Sequence, residues 1–345
     1  MKLKHYISFL LLFTFACDSW ADIPFRNHRY DSWQYLTLPE HAIVFVGNSI
    51  TDMHPWAEAF GCDSRIVNRG NSGALSDEVV EHMNCWLSAK PDKVFLLIGT
   101  NDLGSGLTVE HVVGNIRTIV QRVRAESPST QLYLQSILPA RDQQLRSLAT
   151  LRQANDSIRC IAQQYPNTEY VDLFDLLMGV VDGDRFSFDQ LHLTALGYQR
   201  WCRAIAPLVG IEHSYPAEVD SLMCWGTLWG SNAMRASYFS TLGFHAGDIL
   251  FFGDEMVKNG EWNELLHNPR ILNRGTGWGY GGSIATTKQM SDATFAHTDS
   301  KASSICLYTG TEDLASNQSL YSIQRRYRQL VRQLQQHTSG RLILV

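Results

Sequence analysis

This 345-residue chain has no hydrophobic run long enough to cross a bilayer, and only its first dozen or so residues approach one. It has no excess of positive charge either. With 29 Lys and Arg against 34 Asp and Glu, the net charge of −5 argues against a nucleic-acid or anionic-membrane partner. Charged residues make up only 18% and apolar residues 44%, which excludes a disordered chain and leaves enough for sizeable cores. No group of side chains has recognised metal-ligand spacing, and the lone Glu264-x-x-His267 pair reads as a helix face. The glycine-rich run 275–282 lacks a P-loop lysine and reads as a turn, not a nucleotide site. Neither a metal nor a cofactor is expected. The length itself fits two α/β domains better than one.

The one long apolar stretch lies at the start. Lys2 and Lys4 precede an apolar run from Tyr6 to Ala16, and Ser19-Trp20-Ala21 places small residues where a signal peptidase reads them. Residues 1–21 are therefore expected to be a signal peptide, cleaved before Asp22, with a periplasmic or secreted product. Lipid anchoring at Cys17 is the alternative, and Thr14 and Phe15 fit that pattern poorly. Export permits disulfides among Cys62, Cys85, Cys160, Cys202, Cys224 and Cys306. Cys62 with Cys85 is the first pairing to consider, and buried free thiols are an equal alternative.

From residue 42, short apolar runs alternate with helical patterns. The runs are 42–47 (AIVFVG), 65–68, 93–99 (KVFLLIG), 131–137 (QLYLQSI) and 169–173. Near-continuous apolar character in the first and third marks strands covered on both faces. Helical stretches fall at 74–88, 108–126, 144–165 and 194–208, and Pro91, Pro128 and Pro166 each stand between a helix and the next strand. The pattern predicts a flavodoxin-like, doubly wound α/β sandwich with a five-stranded parallel sheet over 22–212. Chemistry in such a sheet gathers at the carboxyl ends of the strands.

Four fragments stand at those ends. Gly47-Asn48-Ser49-Ile50-Thr51-Asp52 puts a serine hydroxyl at the start of a helix, where free N–H groups favour an anion. Asn68-Arg69-Gly70-Asn71-Ser72-Gly73 is either a plain turn or a close approach of backbone to ligand. Asn101 of Gly99-Thr100-Asn101-Asp102 either caps a helix or donates to an oxyanion. In Asp189-Gln190-Leu191-His192, Asp189 stands three residues before His192, so the carboxylate can orient the ring and the ring can take a proton from Ser49. His54 and Trp56 line the site's mouth, or Trp56 packs beneath the first helix.

The order of these blocks resembles that of the SGNH (GDSL) hydrolases, over about residues 42–205. The resemblance implies Ser49 as nucleophile, His192 as base and then acid, and Asp189 as its partner. It also implies an oxyanion hole from the N–H groups of Ser49 and Gly73 and the amide of Asn101, with Gly70 shaping the turn. Asn48 stands where the consensus has Asp, outside the triad. The wording of the blocks is further similar to exported sialate O-acetylesterases and platelet-activating-factor acetylhydrolase-like proteins. A sialate substrate needs a cation for its carboxylate, and Arg69, Arg141 and Arg185 lie near strand-end loops. The expectation is an exported serine esterase acting on small O-acetyl esters, with sialic acid or another glycan as carrier. A lysophospholipase or thioesterase of the same family, or a non-catalytic carbohydrate-binding protein, are the rivals.

The last third echoes the first. DILFFGDE at 248–255 repeats HAIVFVGNS at 41–49, Ile271-Leu272-Asn273-Arg274-Gly275 repeats 66–70, and 306–314 repeats 96–103. Spacings of about 205–211 residues, in order, indicate a duplication. Its catalytic letters are gone: Glu255 stands for Ser49, Trp278 for Gly73 and Glu312 for Asn101. Residues 237–345 thus read as a degenerate, truncated copy behind an aromatic connector, 213–236, which is expected to pack. The copy stops opposite the fourth strand, so an unpaired sheet edge and self-association through it are expected.

Overall fold

The computed structural model describes residues 28–345, apart from 142–144, 182–185, 188, 220–229 and 278–281. The expected signal peptide with Cys17, the connector's Trp225 and Trp229, Cys224, Arg185 and Trp278 lie outside the described residues.

Five strands form the first sheet: β1 (Ile43–Gly47), β2 (Ile66–Gly70), β3 (Lys93–Leu97), β4 (Gln131–Gln135) and β5 (Thr168–Val171). All neighbours run parallel, in the order β2-β1-β3-β4-β5. β1 is buried at all five positions, as a strand with helices on both faces must be. On one face, Val44, Val46, Val94 and Leu96 pack against Val112, Ile116, Ile119 and Val123 of helix Val109–Glu126. Those four recur at helical spacing, so the stripe facing the sheet is continuous. On the other face, Phe45 stacks on Trp56 at 4.0 Å and on Phe95 at 4.9 Å, over Tyr198 and Trp201 of helix Ala195–Val209.

The second sheet holds β6 (Ile249–Gly253), β7 (Ile271–Gly275), β8 (Ala302–Tyr308) and β9 (Thr338–Leu344), in the order β7-β6-β8-β9. It is a smaller parallel sheet wound like the first. Ile43 pairs with Ile66 and Lys93, and their counterparts Ile249, Ile271 and Ser304 pair likewise. In the fourth strand the correspondence slips by one residue, since Arg341 rather than Leu342 stands where Gln131 does. The β8–β9 pair also carries a register shift between Ala302 and Ser304. β9 is an outer strand, with Ile343 and Leu344 about half exposed (48% and 51%).

The repeat reaches further back than the motifs indicated. Arg29 and Arg69 lie over the Trp33 ring, and Arg235 and Arg274 lie over Phe239 in the same way. Arg29 donates to the carbonyl of Gly70, and Arg235 to that of Gly275. Helix Gly230–Leu242 is therefore the counterpart of the helix at 28–33. One apolar cluster runs from Phe45 and Trp201 through Tyr238 and Phe239 to Phe252 and Leu307, so the halves share a core. The described part of the connector packs too: Tyr215 is buried and its hydroxyl meets His54 Nε2 at 3.0 Å. Among the described residues no helix is long and apolar enough to cross a membrane.

Candidate active site

Ser49 is the first residue of the short helix Ser49–Asp52, directly after β1. Asn48 caps that helix: its side-chain oxygen accepts from the Ile50 N–H at 3.0 Å, as an Asp would, so the change from the consensus keeps the cap. Gly70 is required by closeness rather than by its own dihedral. A Cβ there would lie 2.2 Å from the Asp52 nitrogen, so β2 ends pressed against the serine's helix.

Ser49 Oγ lies 2.8 Å from His192 Nε2, and His192 Nδ1 lies 2.6 Å from Asp189 Oδ2. The other carboxylate oxygen accepts from the N–H groups of His192 and Leu191, at 2.7 and 3.0 Å. Burial opposes ionisation of Asp189. The hydrogen bond and charge of the His192 ring, with the two backbone donors, outweigh it and bring the carboxyl down to about 2. A carboxylate charged at neutral pH on Nδ1 favours the tautomer with its proton there, leaving Nε2 to accept from the serine. Ser49 is buried, while the Asp189 side chain stays 41% exposed.

The other two blocks come to the same place. Gly73 has φ +79°, a backbone that only glycine adopts without strain. The Asn101 amide donates to the Ala74 carbonyl at 3.0 Å, tying the end of β3 to the loop that carries Gly73. An Asn amide has two N–H groups, so one is used here and the second is left for a ligand. Asp102 holds the far side of that loop, accepting from Ser76 N at 3.0 Å and from Ser76 Oγ at 2.5 Å.

Several expectations do not hold. Arg69 is no substrate cation: its side chain is fully buried and gives two hydrogen bonds to Glu264, at 3.0 and 2.8 Å. Glu264 does lie on a helix, Trp262–Leu265, and its carboxylate is spent on Arg69, because a buried arginine requires a buried anion. Arg141 is exposed, and its N–H donates to the Gln190 carbonyl at 3.1 Å, two residues from His192. Arg185 lies outside the described residues. His54 is buried rather than at the mouth, while Trp56 follows its alternative reading and packs beneath the first helix, its indole donating to the Thr51 carbonyl at 2.8 Å. Cys62 and Cys85 are both free thiols, as are Cys160, Cys202 and Cys306.

Sequence reasoning passed over Arg29, Asp52, Ser72 and Glu261. Asp52 and Ser72 stood inside quoted motifs, and their pairing was visible only once β1 and β2 were laid side by side. A cavity of about 100 Å³ lies between the halves, lined by Arg29, Asp52, His54, Lys258 and Glu261 among others, and neither Ser49 nor His192 lines it. Burial brings the Lys258 ammonium down to about 8.

A parallel α/β sandwich with a hydroxyl, an imidazole and a carboxylate in line at its strand ends has the machinery of a serine acyl hydrolase. The chain belongs to the GDSL-like lipase/acylhydrolase family, the SGNH hydrolases, whose pattern it matches over residues 45–200. Platelet-activating factor acetylhydrolase IB subunit alpha1 of Homo sapiens is 29% identical over 200 residues, which is 53% of this chain and 80% of that one. The corresponding subunit of Pongo abelii is 30% identical over 201 residues, with the same coverage. A solved structure from Streptococcus pneumonia, assigned there as a platelet activating factor, has a TM-score of 0.53 at 28% identity and covers 58% of this chain and 99% of its own. The family match lies wholly within the part of the chain that carries the first sheet and helix Ala195–Val209.

Proposed function

We propose that the protein is an exported serine esterase that removes small O-acyl groups, acetyl above all, from a carbohydrate such as sialic acid. The observation that carries the catalytic part is the line from Ser49 through His192 to Asp189, at 2.8 and 2.6 Å. Ser49 attacks the ester carbonyl as its proton passes to His192 Nε2, and Asp189 steadies the imidazolium that results. The N–H groups of Ser49 and Gly73 and the Asn101 amide receive the oxyanion. The tetrahedral adduct collapses with loss of the alcohol, which takes the proton from His192. Water then attacks the acyl-serine, giving one proton to the same nitrogen, and the acid leaves as Ser49 regains its hydrogen.

The preference for acetyl is supported by relatives that carry acetylhydrolase in their names. Arg141, exposed beside the histidine loop, supports an anionic sugar, because a guanidinium there would pair with its carboxylate. Export rests on residues 1–21.

The test is hydrolysis of p-nitrophenyl acetate against longer acyl esters, with Ser49→Ala as control. O-acetylated sialic acid and acetylated xylan follow as natural substrates. Full activity in the variant overturns the mechanism, and a preference for long acyl chains overturns the acetyl reading. Arg141→Gln should raise KM for the sialate ester and leave p-nitrophenyl acetate unaffected.

A further inference from the structure

We infer that Asp52 and Ser72 are positioning residues for the oxyanion loop, and that the second half of the chain helps to hold that loop through Glu261. The inference rests on the catalytic reading above.

Asp52 closes the helix that Ser49 opens, and Ser72 directly precedes Gly73. The Ser72 hydroxyl donates to Asp52 Oδ2, joining the nucleophile's helix to the loop that supplies an oxyanion donor. The other oxygen, Oδ1, lies 3.1 Å from Arg29 Nη2. That nitrogen also donates to the Gly70 carbonyl at 3.2 Å and to Glu261 Oε1 at 2.7 Å. A polar chain therefore runs from Glu261 in the second half through Arg29, Asp52 and Ser72 to Gly73.

Its members are well shielded: Arg29 and Asp52 have side-chain exposures of 8% and 11%. In such surroundings charge-assisted hydrogen bonds fix a group more firmly than in water. The loop's other ties are the main-chain links from Asn71 N–H to Gly47 at 2.9 Å and from Ala74 N–H to Asn71 at 3.0 Å, with the Asn101 amide on the Ala74 carbonyl and Asp102 on Ser76 further along. The Ser72–Asp52 bond fixes the residue directly before Gly73 to the helix that carries Ser49, and oxyanion donors lose their value over fractions of an ångström.

The duplicate provides an internal contrast. At the positions of Asp52 and Ser72 it carries Lys258 and Gly277, which cannot make this hydrogen bond. The half that lost the serine also lost the link, while the half-buried Asn68 and Asn273 contacts that brace each helix persist in both. A purely architectural role for Asp52 and Ser72 would predict their retention beside those asparagines.

The experiment uses the full chain, with p-nitrophenyl acetate for steady-state kinetics and a phosphonate ester to label Ser49. Ser72→Ala should lower kcat about ten- to a hundredfold with KM little changed, and slow phosphonylation in parallel. Ser72→Thr, which keeps the hydroxyl, should restore most of both. Glu261→Gln should move kcat in the same direction by less, with an unchanged thermal midpoint in the Ser72 variants. Unchanged kcat in Ser72→Ala, or a loss that only tracks the unfolded fraction, overturns the inference. Activity surviving in Ser49→Ala overturns the catalytic reading instead, so the two failures are separable.

Discussion

Arg69 and Glu264 meet across the two halves of the chain in a two-pronged ion pair, at 3.0 and 2.8 Å. The pair has a reciprocal: Arg274, the counterpart of Arg69, meets Glu58, the counterpart of Glu264, with both contacts at 2.9 Å. Residue i touches j′ while i′ touches j, which is how the two subunits of a two-fold dimer touch. The halves are arranged as a dimer in one chain, and the reciprocity places the catalytic half and the degenerate half in a fixed mutual orientation.

Breaking one of these pairs should be costly. Arg69→Met leaves Glu264 buried without its cation, a loss of about 3–5 kcal/mol. The double change Arg69→Met with Glu264→Leu should recover much of that, because two charges no longer need to be desolvated together. Urea unfolding of the two variants beside the parent measures both. Equal destabilisation by the single and the double change would contradict the assignment.

The oxyanion donors give a kinetic prediction. In the proposed mechanism Asn101→Ala removes one of three oxyanion donors, and it should lower kcat by about 10²–10³ with KM for p-nitrophenyl acetate nearly constant. The variant also loses the bond to Ala74, so its thermal midpoint is measured beside kcat to separate a loosened loop from the lost donor. A change confined to KM would place Asn101 in substrate binding rather than in the transition state.

The first sheet was legible because its signals are local. Strands such as 93–97 are unbroken apolar runs, and prolines mark where each helix must stop. The triad was legible for a different reason: four blocks recur in fixed order, and each falls where a parallel sheet presents its ligand-binding edge. The role of Arg69 was misread because exposure was assumed from a loop position, whereas its partner Glu264 lies nearly two hundred residues away and only the packing of the halves brings them together. The helix at 28–33 escaped for the same reason. Its likeness to Gly230–Leu242 lies in spatial roles, Arg29 with Arg235 and Trp33 with Phe239, rather than in a run of matching letters. The pairing of Asp52 with Ser72 depends on strand register, which motif spacing alone does not supply.

The cysteines predict a graded reactivity. Cys160 is exposed on helix Leu148–Gln164, and a thiol-specific reagent should label it first among the five described cysteines. Burial pushes Cys62 up to about 12, reinforced by the nearby charges of Glu58 and Asp248, and pushes Cys202 well above the ordinary thiol value. Both should stay unlabelled until the chain is unfolded, as peptide mass mapping with and without urea would record. Reductant should leave the thermal midpoint where it is. A peptide joining Cys62 to Cys85 after digestion would contradict the free-thiol state.

His54 predicts a pH dependence of stability. The ring is buried against Tyr198 at 4.1 Å, its Nε2 faces the Tyr215 hydroxyl, and burial holds its pKa well below the ordinary histidine value. The sign follows from counting protons. Below about pH 6.5 the unfolded chain protonates this histidine and the folded chain does not. Acid therefore favours the unfolded state, and stability falls as pH drops below that point, by up to about 1.4 kcal/mol per pH unit from this one group. Above about pH 7 both states are neutral there and the contribution is flat. His54→Gln removes the titration while leaving a polar group facing Tyr215, so the difference in unfolding free energy between parent and variant should narrow steadily from pH 7 to pH 5. Urea titrations at half-unit steps measure it, and a difference that stays constant over that range would show that His54 titrates alike in both states.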